Sequence, residues 1–129
     1  MIRVYIDKQS NYPVTSSKLK AKLIKFLTQE GIVSDAELSV SIVGRKRMLQ
    51  LSQKYLKEKD SDHDVLTFPF LEGKHDFVTP PDNLIHLGDI VICYPKAIEE
   101  ASRENKLIDE KVFELAVHGA LHLLGKHHN

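Results

Sequence analysis

The stretch ELAVHGALHLLGKHH, residues 114–128, constrains this chain more than any other. Four of the seven histidines lie in it, at 118, 122, 127 and 128. Leu115, Ala116, Val117, Ala120, Leu121, Leu123 and Leu124 make it apolar nearly all round, which predicts a helix buried against another layer. His118 and His122 are four residues apart, so they stand on one face, about 6 Å apart along the axis. Buried imidazoles need polar partners, and one metal ion serves both. Gly125 follows, the residue type that ends helices in the left-handed conformation. The chain can then turn back and offer a third imidazole from His127 or His128. Three histidines with one open position make a catalytic zinc arrangement rather than a closed structural one. A histidine pair at this spacing also occurs in helices that bind nothing, and a terminal His-His can be solvated tail. The apolar surroundings favour the metal.

At 129 residues the chain is long enough for one domain with a hydrophobic core, and residues 1–129 are read as that single domain. No apolar run is long enough to span a membrane. The opening MIRVYIDKQS has no signal-peptide core, and the one cysteine, Cys93, fits a reducing compartment, so a cytoplasmic protein is expected. Cys93 ends an apolar run and reads as a core thiol. Formal net charge is zero, which argues against nucleic-acid binding by global charge and leaves room for a local basic face.

Alternation at Ile2, Val4 and Ile6 predicts a strand, and alternation at Leu38, Val40 and Ile42 a second. Between them Thr15, Ser16 or Ser17 caps a helix to about Glu30, with Leu19, Leu23, Phe26 and Leu27 inward and Lys18, Lys20, Lys22 and Lys25 mostly outward. Arg45-Lys46-Arg47 opens a second helix whose core face is Met48, Leu49, Leu51, Tyr55 and Leu56. VLTFPF is a short strand, and Pro69 makes it an edge strand or ends it. Leu71 to Asn83 reads as a long loop. LIHLGDIVI is the strongest strand, with Gly88 marking a bulge or a close approach. Pro95 suits the first turn of a third helix, and Asn105 or Asp109 could cap the last. The expected fold is α+β: a small mixed four-stranded sheet packed with about four helices, ending in a zincin-like metal helix.

The zinc-peptidase pattern HExxH uses its glutamate as general base. Here Gly119 takes that place, so the metal can be held while the peptidase base is missing. Gly119 fits either tight helix packing or close approach of substrate. Neutral imidazoles leave zinc its full charge, which suits an anionic phosphate. Glu114 shares a helix face with His118 and either orients the imidazole or forms a salt bridge. Asp89 interrupts an apolar strand, and Asp64 braces a loop. None of the three is assigned as a general base.

HGALHLLGKHH resembles the H-G-x-L-H-L-x-G-x-x-H signature of the YbeY family, metal-dependent endoribonucleases of rRNA maturation. DVLTFPF resembles that family's D-V-L-S-F-P element and HLGDIVI its G-D-I strand, and the likeness covers essentially the whole chain. The resemblance implies metal ligands His118, His122 and His128 around one Zn²⁺ per chain, with His127 where the family usually has aspartate. It implies that Lys57 stands where the family has an arginine used in the ribonuclease activity. Lysine keeps that charge and loses the bidentate fork. Asp62-His63 replaces a usual Pro-Thr. The implied activity is single-strand-specific RNA hydrolysis near the 3′ end of small-subunit rRNA and in ribosome quality control, with RNA and the small ribosomal subunit as partners and no membrane. The catalytic candidates are Lys57 and His118. A basic cleft is implied beside the metal helix, with Arg45, Arg47, Lys54, Lys57 and Lys59 as phosphate contacts. Two rivals remain: a metallohydrolase of another substrate such as a peptide, and a non-catalytic, zinc-braced module that binds ribosome or RNA.

Overall fold

In a computed structural model of the chain, residues 1–57, 62–69 and 84–125 are described. The first alternating stretch forms β1 (Ile2–Lys8) and the second β2 (Ala36–Val43). Between them runs α1 (Ser16–Gln29), which buries Leu19, Leu23 and Leu27 and leaves its lysines exposed. Then come α2 (Arg45–Leu51), a π-helical turn (Ser52–Leu56), β3 (Val65–Pro69), β4 (Ile85–Cys93), α3 (Tyr94–Glu104) and α4 (Ile108–Leu123). The strands lie in the order β1-β2-β4-β3. The first three run parallel, and β3 pairs antiparallel to β4 at the edge. This is the α+β arrangement expected: a mixed four-stranded sheet with four helices. Pro69 is tolerated as the last residue of an edge strand, where no ladder donor is missed.

Side chains alternate across the sheet, so each strand divides its residues between two faces. Val4, Leu38, Val40, Ile42, Ile90 and Ile92 share one face with Leu23 and Leu27 of α1 and Val112, Leu115, Ala116 and Ala120 of α4, forming the main core. On the other face Val43, Leu66, Val91 and Cys93 meet Met48 and Leu51 of α2. The register slips by one residue between the pairs Glu37–His86 and Leu38–Gly88, and Gly88 takes φ 134°. That is the bulge expected at Gly88, and only a glycine adopts this backbone without strain. Cys93 is buried, and burial pushes its thiol pKa up, as suits a core thiol.

Three expectations are corrected. Tyr55 and Leu56 are 54% and 45% exposed rather than core residues, because the π-helical turn carries them off the face of Met48 and Leu51. Asn105 does not cap the last helix; it closes α3 in the left-handed conformation that asparagine tolerates. Nor does Asp109 cap it: α4 starts after Leu107, whose N–H donates to Glu110 at 2.9 Å, and Asp109 accepts the N–H of Thr15 at 3.3 Å. Among the described residues no helix is long and apolar enough to cross a membrane.

Candidate metal centre

Helix α4 is fixed on the sheet by Gly119. A Cβ built there would stand 2.9 Å from Ile90 Cγ2, 3.1 Å from Ile90 Cγ1 and 3.1 Å from Thr67 Cγ2. Only hydrogen fits between the helix backbone and β3 and β4. Of the two readings of Gly119, tight packing is the one realised. A glutamate at this position would be driven into the sheet.

With Gly119 and Ala120 inward, the flanking residues His118 and His122 turn outward and are exposed. This corrects the expectation that both imidazoles are buried: α4 covers a sheet with one side only, and the half-buried Val117 and Leu121 flank the pair instead of enclosing it. The pairing itself stands. Nε2 of His122 lies 3.2 Å from Nε2 of His118, with ring centroids 4.8 Å apart. Two nitrogens each about 2.05 Å from a tetrahedral zinc stand about 3.3 Å apart, so this pair fits two corners of such a site. Gly125, at φ 77°, donates its N–H to His122 O at 3.0 Å and ends the helix as the sequence predicts. His127 and His128 lie outside the described residues, as do Lys59 and the loop expected over 71–83. Among the described residues no group of three or more potential ligands is assembled.

Beside His118 lies a cleft of about 330 Å³, lined by Asp64 and Val65 on the sheet side and Lys111, Glu114, Leu115 and His118 on α4. The described lining is mixed in charge, with Asp64 and Glu114 set against Lys111 and His118, and none of the basic residues expected at the cleft is among it. Lys111, only 4% exposed, is the hub. Its Nζ lies 3.0 Å from Glu104 Oε1, 3.0 Å from Glu114 Oε2 and 3.5 Å from Glu100 Oε1. Burial works against its charge, and the bonds to Glu114 and Glu104 reverse that and raise its pKa. Glu114 is held below the usual carboxylate range by Lys106 and Lys111. It is therefore salt-bridged, the simpler of its two expected roles. Glu100 is pushed up, first by burial and then by Asp64 beside it. Lys111 and Glu100 went unnoticed in the sequence. The available signal was that Lys111, Leu115, His118 and His122 follow one helical stripe.

The other candidates are scattered. Lys57 ends the π-helical turn, exposed, at φ 57°, and does not line the cleft beside His118. Arg45 is committed to ion pairs with Asp62, at 3.0 Å, and Glu99. Asp62 also takes Lys96 at 2.8 Å, so this departure from the family pattern clamps α2 to α3. Lys54 lies 5.2 Å from the centroid of the Tyr55 ring. Arg47 and Asp89 line a second cavity on the sheet face opposite α4. Burial pushes the Asp89 carboxyl up.

Residues 5–129 match the family model described as "Endoribonuclease YbeY". A protein of that name from Dehalococcoides mccartyi is 35% identical over 99% of this chain and 78% of its own length. One from Acinetobacter baumannii is 35% identical over 98% and 82%. One from Oceanobacillus iheyensis is 39% identical over 83% and 71%. A solution structure of a Thermotoga maritima protein matches with a TM-score of 0.59 at 27% identity, over 100% of this chain and 75% of that one.

Proposed function

The chain belongs to the YbeY endoribonucleases, hydrolases that cleave RNA phosphodiester bonds, and from that premise we propose that residues 1–129 form one zinc-dependent, single-strand-specific endoribonuclease domain. It acts in the cytoplasm on the 3′ end of small-subunit rRNA and in ribosome quality control, with the small ribosomal subunit as partner. The observation that carries the zinc dependence is the 3.2 Å between the Nε2 atoms of His118 and His122. These two and His128 would hold one Zn²⁺ per chain. When bound, such an ion supplies Lewis-acid polarisation of a phosphoryl oxygen.

The protein residues do the rest. Gly119 seats α4 on the sheet and sets the direction of both histidines. His118 lines the cleft and would also hold the ion, so it would serve as a ligand beside the place where a phosphate could sit. Lys57 supplies a cation to a phosphate oxygen, a point charge in place of the family's planar fork. The peptidase rival is disfavoured because position 119 has no room for a base. The test is cleavage of a single-stranded and a duplex RNA oligonucleotide by zinc-loaded protein, metal-free protein and His122→Ala. The proposal expects cleavage of the single strand by the loaded wild type alone. Equal cleavage by metal-free protein would sink it.

A further inference from the structure

The face of the sheet opposite α4 is only half covered by α2. Beyond the cover lies a cavity of about 450 Å³, within the range that holds small ligands. Its floor is Ser41 of β2 and Val91 of β4. On one side stand Phe68 and Asp89, which are paired across β3 and β4 and so point the same way. Tyr55 lies above, its ring edge-on to Phe68 at 5.2 Å and 64°. Tyr55 is 54% exposed; Lys54 Nζ stands 5.2 Å from its ring centroid, a surface side chain that a stacking base would displace or share the ring with. Asp89 is exposed, burial of part of its carboxyl pushes its pKa up, and its side chain makes no hydrogen bond or ion pair with another described residue. Arg47, at the same cavity, is exposed and likewise has no acidic partner among the described residues.

We propose that this cavity is a guanine subsite for single-stranded RNA, in which Asp89 reads the base edge, Tyr55 stacks on the base and Arg47 takes a neighbouring phosphate. The inference rests on the reading of the chain as an endoribonuclease. An ionised carboxylate only accepts hydrogen bonds. Guanine alone presents two adjacent donors, N1–H and the N2 amino group, and meets a carboxylate with two parallel bonds. Adenine and cytosine each set one amino group beside an acceptor nitrogen, and uracil sets its N3–H between two carbonyls. Each of these leaves a carboxylate oxygen facing a lone pair. A base must be unstacked to enter, which a duplex does not permit. The route to the histidines is short in sequence: Thr67 faces Gly119 of α4, and its neighbour Phe68 faces the cavity, so a strand crossing the β3 edge meets both. A carboxylate beside aromatic rings also fits a protein partner's arginine; Arg47 at the cavity favours the phosphate-bearing ligand.

The test is titration of the ¹⁵N-labelled full chain with 5′-GMP, AMP, CMP and UMP, reading amide shifts and affinities. GMP should bind tighter than the other three by about tenfold or more, as a bidentate base contact provides, with shifts at Ser41, Phe68 and Val91. Asp89→Asn should remove the preference. Tyr55→Ala should weaken all four nucleotides alike, because stacking is tolerant of base identity. Equal affinities, shifts confined to the cleft beside His118, or binding of N-acetylarginine amide in preference to GMP would each overturn the subsite. RNA cleavage measured on the same preparations separates the two readings. Guanine preference without cleavage under any metal defeats the proposed function and keeps the subsite. Cleavage without guanine preference does the reverse.

Discussion

Replacing Gly119 by alanine tests whether α4 is seated as described. The added Cβ falls 2.9 Å from Ile90 Cγ2, closer than carbon atoms pack, and 3.1 Å from both Ile90 Cγ1 and Thr67 Cγ2. Ile90 is fully buried in a central strand and has nowhere to turn. Forcing a methyl group into a packed core costs about 1–3 kcal/mol, and the end near 3 applies when the neighbour cannot move. Against this, alanine gains about 1 kcal/mol over glycine in a helix interior. The net expectation is destabilisation of about 1–2 kcal/mol. With an unfolding entropy of about 2.1 cal/mol/K per residue, that lowers Tm by roughly 4–7 °C for a chain of this length. The assay is thermal and denaturant unfolding of Gly119→Ala in the wild-type background and with Ile90→Ala. Ile90→Ala removes both of its γ-carbons from the clash and leaves only the 3.1 Å contact with Thr67 Cγ2, so Gly119→Ala should then cost clearly less than in the wild type. An equal cost in both backgrounds, or a gain in the wild type, would refute the seating of α4.

Three further outcomes follow from the same structure. Lys111→Ala leaves three carboxylates around a buried gap and should destabilise by about 3 kcal/mol, read by urea unfolding; Lys111→Met should recover part of the loss by refilling the space. Glu100 has a raised folded pKa, so the folded state holds its proton more tightly than the unfolded chain, and its contribution is lost as pH rises past the unfolded carboxylate value. Glu100→Gln cannot ionise, so its Tm relative to wild type should be higher at about pH 8 than at about pH 5; a difference independent of pH would contradict that assignment. Lys57→Ala should lower RNA cleavage by on the order of 10²-fold with no change in Tm, whereas Lys57→Arg should retain or raise it; equal rates for all three proteins would remove Lys57 from the site.

Much of the fold could be read from local pattern because local pattern decides it. Alternation at Val4, Leu38 and Ile42 placed the strands, Pro69 marked the edge, Gly88 the bulge and Gly125 the end of α4. The histidine pair was legible for the same reason: four residues on a helix is a fixed geometry. The exposure of His118 and His122 was not. A run of leucines and alanines looks buried all round, while the sheet covers only one side of α4. Lys111 drew no reading from the sequence, since nothing local shows that Glu100 and Glu104 of another helix converge on it. The second cavity draws Ser41, Phe68 and Asp89 from three strands, a juxtaposition that only strand order creates.

Elemental analysis of the purified protein shows whether His118 and His122 share one metal ion. About one zinc per chain is expected in the wild type and none in His122→Ala. The Tm should be the same for metal-free wild type and variant, because both side chains are exposed and carry no core packing. A folded wild type that takes up no metal when zinc is supplied, or a His122→Ala protein that keeps it, would mean that the pair holds no shared ion.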